Sequence, residues 1–170
     1  MSRREARWIA ERQAQLLLAD AGITSPPVPE RIVSELAGVR VHLLAQMPVE
    51  GLLSASQPSD HGGDILIDNA LPNCERRMAL LHELKHLIDG EHMTELSSRD
   101  HEVACTDFAL GVLIPAAWLR TDWQAAHRDV GKLAERYEVP AQAMRHRLYK
   151  LGLCRDLPPS QRRLYCQWQP

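Results

Sequence analysis

The 170-residue chain has few aromatic side chains: Phe, Trp and Tyr make up 5% of it, and there is a single Phe. Its core must therefore be built mainly from Leu, Val, Ile and Ala. With 9 Gly and 11 Pro, the chain is neither fibrous nor dominated by linkers. Hydrophobic residues at 45% and charged residues at 25% are typical of a globular protein, which argues against disorder. The length suits one domain, or one domain with a small appendage.

Long apolar runs are also missing. The longest charge-free apolar stretch, residues 108–119, is too short to span a bilayer and contains Pro115. The first 20 residues carry three acidic residues and do not resemble a signal peptide. The cysteines have no C-x-x-C spacing, and we expect reduced thiols in a cytoplasmic protein without membrane association. They are Cys74, Cys105, Cys154 and Cys166.

A formal net charge of -2 suggests neither a nucleic-acid binder nor an acidic tail, but it hides an uneven distribution. Residues 128–163 contain nine Lys or Arg against four Asp or Glu. The rest of the chain contains eleven against eighteen. An acidic body is therefore followed by a basic C-terminal third.

Hydrophobic periodicity predicts an α+β fold that is mostly helical, with a sheet of about three strands joined as antiparallel neighbours. The strands are expected at 39–43, 51–54 and 64–67, with a loop at 57–63. Helices are expected at 5–21, 29–36, 72–89, 97–113, 115–118, 129–137 and 141–151, from apolar spacing and from capping residues. We expect a core over residues 1–125, a C-terminal helical pair over 126–156, and a flexible tail over 157–170.

The sequence His82-Glu83-Leu84-Lys85-His86 is an H-E-x-x-H motif inside a strongly periodic helix. Residues four apart share a helix face, so two imidazoles can converge on one metal ion. Glu83 can then act as general base to a water on that metal, as in zinc peptidases. By composition alone, this motif is expected to occur by chance about 0.03 times per chain of this length. The alternative, that the two histidines are ordinary surface residues of an amphipathic helix, is therefore the weaker interpretation.

A catalytic zinc site normally has a third protein ligand and an open position. Candidates downstream are Glu91, His92, Glu95, His101 and Glu102. Glu102 lies in the first turns of the next helix, which can pack antiparallel to the motif helix. His101 points about 100° away from it. Spacing therefore favours Glu102 over His101 without excluding the others.

Most of the chain resembles the ImmA/IrrE family of metallo-endopeptidases. The most specific resemblance is the run from Glu102 through Phe108-Ala109 to Leu113-Ile114-Pro115, which is similar to the family's second motif. The resemblance implies that Glu102 is the third metal ligand. It also implies a zinc site, with manganese as the alternative metal, and cleavage of a protein substrate. That substrate would be a helix-turn-helix repressor of a mobile element or stress response.

Two residues depart from the family pattern. Lys85 stands where the family commonly has Gly, and its ammonium would point to solvent or reach into the cleft. Thr106 stands where the family commonly has Asn, four residues after the ligand Glu, a position suited to orienting a metal ligand. Neither change removes a ligand or the base, so we expect metal binding to persist.

The group that stabilises the transition state is not identified by its spacing. His61, His92 and His101 are the candidates for an extra donor to the developing oxyanion. The strand near Ile65 is expected to bind an extended peptide by edge pairing.

The basic C-terminal helices allow two alternatives to a peptidase. Residues 133–153 resemble a helix-turn-helix, so a DNA-associated regulator is one possibility, although such a pattern is a weak signal. The other is a binding protein that neutralises a repressor without cutting it. The sequence does not indicate an oligomeric state.

Overall fold

The computed structural model describes residues 1–90 and 96–155. The helices are α1 (Arg3–Asp20), α2 (Arg31–Ser34), α3 (Asn73–Asp89), α4 (Ser98–Leu113), α5 (Ala116–Ala125), α6 (Val130–Tyr137) and α7 (Ala141–Lys150). The strands are β1 (Val39–Leu44), β2 (Ser54–Ser59) and β3 (Gly62–Asp68). The α+β class with a small three-stranded sheet is confirmed. The predicted flexible tail, 157–170, lies outside the described residues.

The sheet has the order β1-β3-β2 and is mixed, so the prediction of a purely antiparallel sheet was wrong. β2 and β3 form an antiparallel hairpin, in which Ser56 pairs with Ile65. β1 runs parallel to β3, with Val41 beside the same Ile65. Because β3 has a neighbour on both sides, Ile65 cannot offer a free edge to a peptide. The strand that borders the motif helix at the sheet edge is β2.

The segment predicted as a loop at 57–63 is mostly strand. β2 continues through Pro58 to Ser59, and β3 starts at Gly62. Pro58 is tolerated because β2 lies at the edge, where a missing N–H donor costs little. Gly62 has a φ of 128°, and a Cβ there would lie 2.3 Å from the Gly38 carbonyl oxygen. Only glycine permits this close approach between the hairpin turn and the start of β1.

The two central helices, α3 and α4, carry the predicted metal ligands. α4 begins where Ser97 accepts a hydrogen bond from the Asp100 backbone N–H, as the capping pattern predicted. Its residues from Ala104 to Leu113 are buried, since α1 and α3 both pack against this helix. α3 in turn lies on β2 and β3. The metal-binding pair is thus held by the core of the protein.

α3 is also tied to distant segments through the buried guanidinium of Arg77. Its Nη1 donates to the Val28 carbonyl at 2.7 Å, and its Nη2 donates to the carbonyls of Tyr137 and Glu138 at the end of α6. Burial lowers the pKa of Arg77. The single side chain therefore connects the motif helix to the N-terminal loop and to the C-terminal helices.

Two basic residues of the C-terminal third, Arg147 and Lys150, form contacts inside the fold. Arg147 on α7 is buried, donates to both carboxylate oxygens of Glu11 on α1 at 2.9 and 2.5 Å, and donates to the Ile114 carbonyl at 3.0 Å. Lys150 donates to Asp107 on α4. Part of the charge asymmetry of the sequence is thus used in two ion pairs that hold α7 on the acidic body.

Within the described residues, no helix alone has the length and apolar character needed to cross a membrane. Only α4 and α5 taken together meet those limits, across a bend of 57°.

Candidate metal centre and active site

Three side chains from α3 and α4 meet at one point. His82 and His86 are one turn apart, and their Nε2 atoms are 3.2 Å from each other. Glu102 approaches from the first turns of α4, with Oε2 3.1 Å from His82 Nε2 and Oε1 3.4 Å from His86 Nε2. The structure brings together the two motif histidines and the favoured third residue.

The spacing between these groups is close to that around a tetrahedral zinc ion, with each imidazole facing a different oxygen of Glu102. The bonds from zinc to an imidazole nitrogen or a carboxylate oxygen are about 2.0–2.2 Å long. In a tetrahedral site, such bonds place neighbouring ligand atoms roughly 3.3–3.4 Å apart. The observed separations of 3.1, 3.2 and 3.4 Å lie near that value. Glu102 is about half exposed, so one side of the triangle faces solvent. The donor set therefore fits a metal ion with an open position.

Burial prepares His86 for this role. Its pKa is lowered, first by burial and next by the neighbouring His82. A neutral imidazole has a free nitrogen lone pair, which metal binding requires.

Glu83 is held by two serines of the edge strand. Ser54 Oγ donates to Glu83 Oε1 at 2.7 Å, and Ser56 Oγ donates to Oε2 at 2.8 Å. Residues two apart on a strand point to the same face, which is why both hydroxyls reach α3. Glu83 is buried, so these bonds satisfy its carboxylate and fix its orientation.

Thr106 lies at the other nitrogen of a motif histidine. Its Oγ1 is 3.5 Å from His82 Nδ1, and the residue is buried. This is the position from which a side chain fixes the tautomer and orientation of a ligand imidazole. The shorter Thr side chain still reaches the ring in place of the family's Asn.

Lys85 points neither to solvent nor into the cleft, contrary to both alternatives considered from the sequence. It is fully buried and donates to Asp89, one turn further along α3. The other oxygen of Asp89 lies 3.0 Å from His101 Nε2. The His101 ring in turn meets the His86 ring edge-on, with centroids 4.8 Å apart. Lys85 therefore neutralises the carboxylate that contacts His101, and His101 packs against the ring of His86.

Cys105 is a further side chain near the motif. Its Sγ and one ring nitrogen each of His82 and His86 lie within 4.8 Å of one another. Asp89 and His101 form a second such group with the same thiol. Cys105 is fully buried, and burial raises its pKa, so the thiol stays protonated. The donors His82, His86 and Glu102 therefore fit an exchangeable metal ion better than either group that includes the Cys105 thiol.

The remaining histidine candidates do not join the triangle. His61 lies in the β2–β3 turn, where it contacts the Ser59 hydroxyl at 3.0 Å and Asp64 at 3.4 Å. Glu91, His92 and Glu95 lie outside the described residues.

A cavity of about 530 Å³ opens beside the triangle. His82, Glu83 and Glu102 lie in its wall, together with Leu53 at the start of β2. Its apolar lining continues through Leu71, Met78, Ala79, Pro140 and Ala143. The size and lining are those of a small binding site for an apolar group next to polar reactive groups.

Sequence reasoning missed Ser54, Ser56, Asp89 and Cys105. The serine pair had a weak signal, an alternating Ser-x-Ser that starts three residues after Gly51. Asp89 could have been paired with Lys85 from their i,i+4 spacing, which is typical of a helical ion pair.

Comparison with known proteins agrees with this geometry. The family profile described as Peptidase_M78, IrrE N-terminal-like domain, matches residues 35–149. Among solved structures, a Mycobacterium tuberculosis transcriptional regulator superposes with a TM-score of 0.64 at 17% identity. The alignment covers 94% of this chain and 49% of that protein, so this chain spans about half the length of the regulator. No curated protein sequence matches the chain.

The structural likeness supports the fold alone. The family profile includes both helices of the metal triangle and covers more than half of the sequence. The chain therefore belongs to the IrrE N-terminal-like domain family of peptidases.

Proposed function

We propose that the protein is a zinc-dependent endopeptidase that hydrolyses one bond in a specific protein substrate. The observation that carries the proposal is the convergence of His82, His86 and Glu102 within 3.4 Å of one another, next to Glu83. His82 and His86 would hold the metal through Nε2, and Glu102 would hold it through a carboxylate oxygen. Manganese is the alternative ion, but two imidazoles and one carboxylate with an open side suit zinc.

When bound, zinc supplies Lewis-acid polarisation of the scissile carbonyl and acidifies water. Glu83 accepts a proton from the attacking water and then donates it to the leaving amine. The two serine hydroxyls hold its carboxylate in place during both transfers. Thr106 keeps His82 in the tautomer that leaves Nε2 free.

The substrate backbone is proposed to lie along β2. That strand pairs with β3 on one side, and its other side has no strand partner among the described residues. A peptide added there as a strand would run past Ser54 and the cavity that contains Glu83. This replaces the edge near Ile65 expected from the sequence.

The natural substrate is proposed to be a helix-turn-helix repressor, as the family resemblance implies. The test is to incubate the zinc-loaded protein with the regulator encoded beside it and to look for one discrete fragment. Glu83→Gln should bind zinc as the parent does and produce no fragment. A Glu83→Gln protein that still cleaves would overturn the mechanism.

A non-catalytic antirepressor is the second candidate. It predicts that Glu83→Gln keeps the full effect on repressor-controlled transcription while no cleavage is detected in either protein. The same pair of measurements separates the two functions.

DNA binding by the C-terminal helices is disfavoured. Of the three Lys and Arg residues on α7, Arg147 is buried against Glu11 and Lys150 contacts Asp107, which leaves only Arg145 for a phosphate. On α6, Arg136 pairs with Asp122 at 3.0 Å. Salt-dependent affinity for duplex DNA would revive this alternative.

A further inference from the structure

A second cleft lies between the start of α1 and the end of α7 and shares no wall residue with the cavity at the metal triangle. Its volume is about 680 Å³, within the range of small-molecule sites. Arg3, Arg4, Arg7 and Trp8 line it from α1, and Lys150 lines it from α7. Nothing in the proposed peptidase chemistry uses these residues.

The cations of this cleft outnumber the carboxylates that neutralise them. Glu11 balances Arg147, and Asp100 balances Arg3 at 3.0 Å. The single carboxylate of Asp107 is shared by Arg7, at 3.0 Å, and Lys150.

The Arg4 side chain has no ion-pair or hydrogen-bond partner among residues 1–90 and 96–155. The cleft therefore retains an excess of two positive charges: that of Arg4 and one of the pair that shares Asp107.

The neighbouring His146 responds to this charge. Its pKa is lowered to about 4, first by burial and next by Lys150, while Asp107 raises it and Arg7 lowers it. The charge of the cleft is opposite in sign to the net charge of the whole chain, which is -2.

Trp8 places an aromatic face at the same cleft. Its side chain is 70% exposed. It follows Arg4 by four residues, so the indole and the free guanidinium are neighbours on one face of α1. A lone exposed aromatic residue needs no explanation. Here it borders a concave basic surface, where an indole can stack on a planar ring.

We propose that this cleft binds a nucleoside monophosphate. A phosphate monoester carries about -1.5 to -2 charges at neutral pH, which matches the excess of two. The guanidinium of Arg4 supplies donors in the fork geometry that suits phosphate oxygens, and Arg7 adds charge beside it. The base stacks on Trp8.

The test is calorimetric titration of the full chain with AMP, inorganic phosphate and a ten-nucleotide single strand of thymidylate. AMP should bind more tightly than phosphate. Arg4→Glu should weaken AMP binding about tenfold or more, since it removes a charge-assisted contact. Trp8→Ala should remove the preference for AMP over phosphate, because only the base contacts the indole.

Arg12→Glu is the matched control. Arg12 is exposed on the same helix, carries the same charge and does not line the cleft. AMP affinity should stay within about twofold of the parent, because screened charges outside the site act weakly. Circular dichroism should show the parent's helix content in all three variants.

Three results would overturn the proposal. The first is no detectable AMP binding at millimolar concentration. The second is an equal loss of affinity in Arg4→Glu and Arg12→Glu. The third is tighter binding of the single-stranded DNA than of AMP, with DNA binding weakened equally by both substitutions. That result would indicate an extended nucleic-acid surface instead.

Discussion

Ser54 Oγ donates a 2.7 Å hydrogen bond to Glu83 Oε1, so the edge strand holds the proposed base of the motif helix. We expect Ser54→Ala and Ser56→Ala each to lower kcat about tenfold, because an unrestrained carboxylate spends less time in the reactive geometry. Zinc affinity should not change, since neither serine contacts a proposed ligand. Ser59→Ala is the control, because Ser59 lies on the same strand but contacts His61. Equal losses in all three variants would show a general effect on β2.

Glu102 and His101 are adjacent in sequence but have different partners. Glu102→Ala should weaken zinc binding by more than about a hundredfold, since it removes a direct ligand, a larger effect than loss of an outer contact. His101→Asn should weaken it about tenfold or less, because His101 contacts Asp89 and the ring of His86. Competition titration with a chromogenic chelator measures both. The reverse order of effects would move the third ligand to His101.

Thr106 is proposed to orient His82. Thr106→Val keeps the volume of the side chain but removes the hydroxyl, and should weaken zinc binding about tenfold, at the lower end of the range of about 10–100-fold for such contacts. Thr106→Ser keeps the hydroxyl and should bind zinc as the parent does. If both variants behave alike, the 3.5 Å contact has no role in metal binding.

The Arg147–Glu11 pair should contribute strongly to stability. Arg147→Met leaves the Glu11 carboxylate without its partner and should lower the free energy of unfolding by about 3 kcal/mol. The exposed pair Arg31–Glu35 provides the comparison, and Arg31→Met should cost less than about 0.5 kcal/mol. Urea unfolding measures both. Equal costs would mean that the buried pair adds nothing beyond a surface contact.

Acid should destabilise the fold through His146. Its pKa is about 4 in the folded protein, against an ordinary value of 6.5. Between these values the unfolded chain binds more protons, so stability is present above pH 6.5 and is lost as the pH falls towards 4. Urea unfolding of metal-free protein at pH 7 and pH 5 should show a smaller loss for His146→Gln than for the parent. An identical pH dependence in the two proteins would contradict this assignment.

The sequence predicted the helices well because their apolar spacing and their caps are local signals. Ser97 and Asp129 both accept backbone N–H groups at the helix starts where they were expected. The H-E-x-x-H spacing likewise placed His82 and His86 together, because four residues make about one turn of any α-helix.

The sheet was harder to predict because strand partners are set by packing between distant segments. Nothing local in Val39–Leu44 shows that it runs parallel to β3 and not antiparallel. The role of Lys85 could not be predicted for the same reason, because it depends on packing between distant segments. A lysine within a helix normally reaches solvent, and only the fold reveals that this one is buried and that Asp89 neutralises it.

The bond between Glu11 and Arg147 also bears on how the chain folds during synthesis. The two residues are 136 positions apart. α1 is synthesised well before α7, so the cation that neutralises Glu11 arrives only with the last described helix. α1 can pack against α4 earlier, but Glu11 lacks its partner until α7 has been made. A nascent chain that stops before α7 is therefore expected to expose the groove where that helix belongs and to attract chaperones.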